Sequence, residues 1–512
     1  MKKIVVLTFT LACIFAHPVF SQTFEEYLRQ EKEREKQYLE SKKADFEKYK
    51  RERQQEISNM LKEKWEAMEI LSGKKRPSMP APEEAPIAKQ DEPIININTD
   101  YEIKNIDNIP KLNIEVIDIP AIDRNMTPPE NKFQPKEKNM KTSFKFCNYT
   151  VTEFYNNDFI FKLNNVSENA IGEFWSKLSN TEYYNLIEKY LESQEFLSLN
   201  DWAYYKYISS LADNIYPESY SNEKIIFTAF ILNCSGYDVQ LAMDINKTRL
   251  FMMMSVTNSV FEVPYWMING KKYIIPDKKD VSNIYICKKF NEIAGSTKSF
   301  NLVISEPLFH NYIVRDAGQI KSCDLESNIF SDKKETVYFN NNLFNFYDKY
   351  PACDFDVYFN SLPSMELIVS LDNIFKKTLK GKTETQKVAE LLQFMHESLE
   401  YQTDDEQFGR EKYFFVEELF MYKYNDCEDR SVLFSYLVRR YTGLKVIGII
   451  YDDHVATGVK FNEDIQGNYI SYNGEKYLVC DPTYIGAKIG QAMPQYNNQS
   501  VEIIETVPIV GN

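Results

Sequence analysis

Cys427, His454 and Asp481 are the residues of this 512-residue chain whose types and surroundings could do nucleophilic chemistry together. Cys427 stands in Asn425-Asp426-Cys427-Glu428-Asp429, just before an apolar run from Val432 to Tyr441 with helical spacing. A thiol in the first turn of a helix feels unpaired backbone N–H groups, so its pKa is expected to fall and thiolate to be favoured. His454, in Asp453-His454-Val455-Ala456, opens a strand-like run to Phe461. Its imidazole could take the thiol proton and hand it to a leaving group. Asp481 closes a strand-like run from Glu475 and is followed by Pro482-Thr483. In an antiparallel pair the end of one strand lies beside the start of the next, so this carboxylate could hold the second ring nitrogen and fix the tautomer. Pro482 stops further pairing, which suits a site at a sheet end. Taken singly, these are a buried cysteine, a surface histidine and an Asp-Pro turn; their order, each 27 positions from the last, and their placement at element ends set them apart. Of the other histidines, His17 falls in the N-terminal leader, His310 in a region that reads as β-rich, and His396 in a helix with no motif around it.

Together, Asn425-Asp426-Cys427-Glu428-Asp429-Arg430-Ser431, Asp453-His454-Val455-Ala456 and Cys480-Asp481-Pro482-Thr483 resemble the core of the transglutaminase-like cysteine hydrolases, most closely the bacterial transglutaminase-like cysteine proteinases. Phe414-Phe415-Val416-Glu417-Glu418-Leu419 is similar to an upstream motif of those proteins, with Val416 where they carry proline. The resemblance spans residues 383–490, about a fifth of the chain. It implies a papain-like mechanism on a rearranged core, with Cys427 as nucleophile, His454 as base and acid, and Asp481 as orienter. It also implies an oxyanion hole made by the Cys427 backbone N–H and a side chain, either Gln402 or Gln407, both in the preceding loop; Gln402, beside Tyr401, is preferred. One departure is Asn425, where the family carries glycine; a turn that tolerates glycine would there have to accept asparagine.

No cofactor is required by this chemistry. Some relatives bind calcium, and Asp426, Glu428 and Asp429 invite that alternative. Calcium takes six or more oxygens, so Asp404, Asp405 and Glu406 would be the first additional ligands to test. Clustered carboxylates alone are more often solvated charges, and no metal is assigned.

The elements that must position these residues form the last of several regions, since 512 residues exceed a single hydrophobic core. Residues 1–21, with Lys2 and Lys3 before an apolar run and cleavage expected after Ser21, read as a secretory signal peptide. Thr10-Leu11-Ala12-Cys13 lacks the leucine expected three before a lipidated cysteine. Residues 23–72 read as one long charged helix without a sustained heptad seam, a spacer or a helix that binds a protein partner through residues 23–71. Residues 73–142 are a Pro-rich, poorly ordered linker in which short strands along the globular part are the only order expected. The folded part is expected from residue 143. Its first strand pair, residues 144–163, should turn at Asn156-Asn157-Asp158, and residues 281–375 should form a β-rich insert with strands at 301–304, 336–339 and 356–359. Residues 376–512 carry the catalytic motifs.

A pattern recurs. Ile225 to Leu232 followed by Gly236 matches Val432 to Arg439 followed by Gly443 at an offset of 207, and Asn269-Gly270 matches Asn473-Gly474 at an offset of 204. Residues 143–280 are therefore expected to be a degenerate copy, with Tyr220 and Lys247 at the cysteine and histidine positions and Asp277 keeping the acid. The fold class expected is α+β: a helix packed on an antiparallel sheet, transglutaminase-like, twice, with a long N-terminal helix.

The net charge of −15 argues against non-specific binding of nucleic acid or anionic lipid. No apolar run after the leader is long enough to span a bilayer. Removing the leader leaves seven cysteines, an odd number, so one thiol would stay unpaired even in an oxidising compartment. The sequence thus predicts an exported, periplasmic or surface cysteine hydrolase acting on a protein or peptide. The alternative is a non-catalytic interaction protein in which both copies serve as scaffold.

Overall fold

A computed structural model describes residues 81–89, 103, 117–118, 133–276, 281, 283–287, 297–311, 319–497 and 499–510. The chain divides into two units, Met1–Glu69 and Ile70–Asn512, and every described residue belongs to the second. The leader, the long charged helix and Asp277 lie outside the described residues.

The proline-rich segment forms no helix where it is described. Instead Ile87 bridges Ile485 and Ile103 bridges Val501, both in parallel, and β1 (Ile117–Asp118) pairs in parallel with the last strand. These described stretches therefore meet the C-terminal part of the chain in matching order.

The first hairpin, β2 (Asn139–Phe146) and β3 (Tyr149–Asn156), begins before residue 143 and turns at Cys147-Asn148, not at 156–158. Both turn residues have left-handed φ, 46° and 62°, the two-residue geometry that matches strand twist. Asn156 instead accepts from the Asp158 N–H and caps a short 3₁₀ turn, an ordinary use of its side chain. Four helices follow, α1 (Glu168–Ser179), α2 (Tyr184–Phe196), α3 (Asp201–Ile215) and α4 (Ser221–Cys234). Ser167 and Asn200 cap α1 and α3 by accepting from N3 backbone N–H groups. A five-stranded antiparallel sheet comes next: β4 (Val239–Asp244), β5 (Leu250–Ser255), β6 (Tyr265–Ile268), β7 (Lys271–Ile274) and β8 (Ile284–Ile286), in the order β6-β7-β5-β4-β8.

The expected β-rich insert is only partly so. The hairpin β9 (Ile320–Glu326) with β10 (Lys334–Asn340) covers the strand expected at 336–339. Residues 356–359 belong to a helix, and three follow β10: α5 (Phe344–Asp348), α6 (Phe355–Asn360) and α7 (Met365–Thr378). Every residue of α6 is buried, so its apolar pattern reflects an enclosed helix and not a half-exposed strand. Residues 301–304 join no ladder because buried side chains take their N–H groups: Asp201 that of Asn301, Asn258 that of Leu302 and Ser361 that of Ile304.

The C-terminal module begins with α8 (Glu384–Ser398), whose N-cap Thr383 exchanges hydrogen bonds with Gln386. Then come β11 (Glu400–Tyr401), α9 (Asp404–Phe408), α10 (Glu418–Met421), β12 (Tyr424–Asn425) and α11 (Cys427–Thr442). The second sheet contains β13 (Lys445–Ile450), β14 (Val455–Lys460), β15 (Tyr469–Tyr472), β16 (Glu475–Cys480) and β17 (Glu502–Glu505), before β18 (Ile509–Val510). Its order is β15-β16-β14-β13-β17, the first sheet's order over again, and all its pairings are antiparallel.

Details repeat as well. Gly236 after α4 and Gly443 after α11 have φ of 95° and 71°. Asn269-Gly270 and Asn473-Gly474 both turn with left-handed φ at each residue, the geometry Asn-Gly supplies at least cost. One apolar core runs through both modules on the helix side of the sheets, while each sheet's other face has its own smaller cluster. Over the second sheet that outer cluster includes Tyr484, Met493 and Tyr496 from the segment after β16, with Ala88 and Ile103 packed against it. The described residues are mixed α and β with curled antiparallel sheets. None of their helices is long and apolar enough to cross a membrane.

Candidate active site

Asp426 is the N-cap of α11 and Cys427 its first residue. The helix end is fixed by carboxylates: Asp429 accepts the Phe414 N–H at 2.9 Å and the Asp426 N–H at 3.4 Å. Asn425 precedes in β12, which pairs in parallel with β11. It has no left-handed backbone, so the strain expected of asparagine at the glycine position does not arise. Its side chain accepts from Arg430 Nε at 2.8 Å instead.

His454 closes the short β13–β14 connection. The Tyr451 N–H donates to its carbonyl at 2.8 Å, and Ile450 pairs with Val455 directly beyond. Asp481 follows β16, where Cys480 pairs with Thr457 of β14. Its Oδ1 accepts from the N–H groups of Thr483 (2.9 Å) and Tyr484 (3.1 Å), while its Oδ2 lies 2.8 Å from His454 Nε2. The imidazole–carboxylate pair expected from the strand ends is thus in place. His454 Nδ1, on the other side of the ring, has no protein partner. The ring lies parallel to Tyr496 at 5.2 Å and Tyr451 at 6.2 Å between centroids, two rings that stack on each other at 4.6 Å.

α11 packs its first turn against this same turn of chain. Ser431 Oγ donates to the Val455 carbonyl at 3.0 Å, and the Val455 N–H reaches the Cys427 sulfur. Thiol and imidazole therefore border one backbone segment, and all three residues are closed off from solvent, at 0, 0 and 2% exposure for Cys427, His454 and Asp481.

The electrostatics depart from expectation. Burial pushes the Cys427 thiol well above its ordinary value, and Glu428 and Asp426 push it further; the Val455 N–H opposes them without prevailing. The thiol donates to Glu428 Oε2 at 3.1 Å. The lowered thiol pKa expected from the helix N-terminus does not arise, because burial of the thiol outweighs the partial charge of the helix end and the neighbouring carboxyls add to it. Burial also works against the Asp481 carboxylate, but His454 and the two N–H groups outweigh it and hold that group below the usual aspartate range.

Those carboxyls form a cluster. Oxygens of Asp404, Glu411 and Glu428, and of Asp404, Asp426 and Asp429, lie within 4.8 Å of one another. Asp405 and Glu406, named from sequence as further ligands, are exposed and outside it, whereas Glu411 joins it. Burial first, then mutual repulsion, raises Glu428 to about 8 and Asp426 and Asp429 well above the carboxylate range. Asp426 Oδ1 and Glu428 Oε1 are buried without a protein partner. Oxygen donors in this number and spacing fit a hard divalent cation, and these five residues are the ones that could hold it.

Gln402 and Gln407 separate in space. The Gln402 N–H bonds the Asn425 carbonyl at 3.3 Å, extending the β11–β12 pairing to the residue two before Cys427. Gln407 lies within α9. Of the two, the chain path brings Gln402 to the cysteine.

Three contributors, His396, Tyr401 and Tyr496, carry no sequence signal of their own. His396 Nε2 is 3.1 Å from the Asp481 carbonyl and its Nδ1 accepts the Gly486 N–H at 3.3 Å, so the neutral ring bridges two points of the acid's loop. Burial lowers its pKa, which favours that state. Tyr401 lies under the Arg430 guanidinium, 5.4 Å from ring centroid to Cζ, and Arg430 also donates to the Leu399 carbonyl at 2.8 Å. Tyr496 has been placed against His454. Glu417, like Arg430, came with a motif: it accepts from the Ser364 hydroxyl (2.6 Å), the N–H groups of Asn340 (2.8 Å) and Ser364 (3.0 Å), and the Tyr347 hydroxyl (3.1 Å). It ties β10, α5 and α7 to the loop before Cys427.

All seven cysteines described are unpaired. Burial pushes Cys147, Cys234 and Cys287 to about 12 and Cys323 to about 11, and none of these four is set beside an imidazole–carboxylate pair.

No protein family, no curated protein and no solved structure matches this chain.

Proposed function

We propose that the chain is an exported cysteine hydrolase of the transglutaminase-like kind, cleaving a peptide or isopeptide bond through an acyl-enzyme. The observation that carries this reading is the buried His454–Asp481 hydrogen bond of 2.8 Å, with the ring's other nitrogen free, beside a turn whose N–H reaches the Cys427 sulfur. In the reaction His454 takes the Cys427 proton, the sulfur attacks the carbonyl carbon, and the oxyanion is met by the Cys427 N–H and the Gln402 side chain. His454 then protonates the leaving amine, and water completes hydrolysis. Asp481 keeps the tautomer and supports the imidazolium.

The five-carboxyl cluster supports calcium as a partner of this site, since a divalent ion would supply the positive charge that the buried acids lack. Asp404, Glu411, Asp426, Glu428 and Asp429 would hold it. In this reading the first sheet with α4 is a degenerate copy of the second with α11, supported by the repeated strand order and turns. Matching α4 to α11 by their first residues puts Ser221 in the place of Cys427, and residues 143–280 then serve packing or recognition.

A second reading, a non-catalytic periplasmic or surface interaction protein, is favoured by one observation: the thiol is fully buried and its pKa is raised. Turnover separates the two. A fluorogenic peptide library should be cleaved by the wild-type chain with calcium present and not by Cys427→Ala; the interaction reading predicts equal, background signal from both.

A further inference from the structure

A nucleophile with no exposed surface cannot meet a polypeptide until something moves. Beside His454, Tyr496 packs in the outer cluster of the second sheet, and Tyr401, which pairs with Asn425 two residues before Cys427, is pinned by Arg430. Residues 81–89 are different. The Tyr401 hydroxyl donates to the Pro82 carbonyl at 2.6 Å. Further along, the Ile485 N–H donates to the Pro86 carbonyl at 2.8 Å and the Ala88 N–H to the Ile485 carbonyl at 2.9 Å. Ile485 is four residues beyond Asp481, next to Gly486, which His396 ties to the Asp481 carbonyl.

The segment is thus anchored at both flanks of the site, at the residue before Gln402 and in the loop of the acid. Four residues from Pro82 to Pro86 reach at most about 13 Å when extended, the scale of a cleft that holds one peptide. One pair of main-chain bonds, at Pro86 and Ala88, joins the segment to Ile485 as an isolated parallel bridge, and an extended substrate chain could be held by main-chain bonds of the same kind. Glu83, Glu84, Ile87 and Lys89 are exposed, Ile87 at 76%, whereas the partly covered positions are Ala81, Pro82, Ala85, Pro86 and Ala88. No large side chain anchors it, so it is the cheapest part of the cover to displace.

We infer that the path from Tyr401 to Ile485 is the binding groove for an extended substrate polypeptide, and that residues 82–88 fill it in cis as an autoinhibitory strap. This rests on the hydrolase reading for the fate of the substrate, but the groove and the strap can be tested without turnover. A substrate chain would replace the strap's main-chain bonds with its own, and its scissile carbonyl would come to Cys427 as the strap leaves.

The test is the rate at which iodoacetamide alkylates Cys427 in the full chain, followed residue by residue by mass spectrometry. Ala88→Pro removes the N–H that bonds Ile485, at a position packed on the rim of the second sheet's outer cluster, and Ala85→Trp puts bulk at a partly covered position; neither is a member of the triad. Each should raise Cys427 alkylation about two- to twelvefold, the range expected when one net backbone hydrogen bond no longer holds the closed form. A synthetic peptide of residues 81–89 should slow the Ala88→Pro variant again, and a scrambled peptide should not. Equal Cys427 alkylation in wild type and both variants would overturn the strap. If the variants alkylate faster and the peptide protects, yet no peptide substrate is ever cleaved, the groove and strap stand and the hydrolase reading falls.

Discussion

At the scale of single residues, the account depends on how few groups orient His454. Asp481 holds one ring nitrogen, and Asp481→Asn keeps the shape while removing the charge and the tautomer preference. It should lower kcat/KM by a factor on the order of 10³ to 10⁴, measured on whichever peptide the wild type cleaves, with the fold retained. Because its folded pKa is depressed, Asp481 contributes stability that is present above the ordinary aspartate pKa and lost as pH falls through the lowered value. Its contribution therefore shows only on the acid side. His396 acts one step removed. His396→Leu should cost about 1–3 kcal/mol through the unpaired Asp481 carbonyl and Gly486 N–H, and should lower kcat more than it raises KM. A purely structural role would leave kcat per folded molecule unchanged. The His454–Asp481 pair was legible because each member carries its own sequence context. His396 was not, because a histidine on a helix reveals nothing of the loop that will cross it 85 residues later.

At the scale of elements, burial of the first turn of α11 sets the state of the thiol, and the acids beside it add to the effect. Sequence showed the acids but not that Asp404 of α9 and Glu411 would be brought to them, since no local pattern fixes the path of that segment. Burial of Cys427, with Glu428 and Asp426 beside it, reversed the predicted direction of its shift. Glu428 is raised to about 8 and Asp356 and Glu417 to about 7, each by burial first. A carboxyl whose folded pKa is raised keeps a proton that the unfolded chain has released, so stability falls as pH rises from about 4.5 through these values. In calcium-free buffer the Tm should drop between pH 5 and pH 8, by roughly 5 °C, and Glu428→Gln should reduce that drop. Calcium at millimolar concentration should restore the Tm at pH 8 in the wild type and do so less in Asp404→Asn. A Tm indifferent to calcium across this range would remove the cation from the account. The α6 helix offers a second lesson at this scale. Alternating apolar and acidic residues suggested a strand there, and only the surrounding core, which buries every side of it, makes a helix the better solution.

At the scale of the whole molecule, two modules with one strand order share an apolar core, and polar hubs fasten them. Glu417 receives four hydrogen bonds from three elements outside its own loop. Glu417→Ala would strand those donors and should cost about 3–5 kcal/mol, read as a lowered denaturation midpoint. Glu417→Gln should cost less, because a side-chain carbonyl still accepts. The repeat was visible in sequence through Gly236 and Gly443 and through the two Asn-Gly turns, which are positions where backbone geometry constrains residue choice. The route of the linker was not visible, since Pro-rich chain carries no period and gains its place only by pairing at Ile485, Val501 and the last strand. That route is what brings residues 81–89 to the site.

The central claim is that Cys427 is the nucleophile, and intact-mass analysis of the full chain after treatment with a thiol-directed acylating probe tests it most directly. Wild type and Ala88→Pro should each gain one adduct, mapped to Cys427 and formed faster in the variant. Cys427→Ala should gain none while keeping its Tm within about 2 °C. Adducts forming on Cys427→Ala at the wild-type rate would contradict the account.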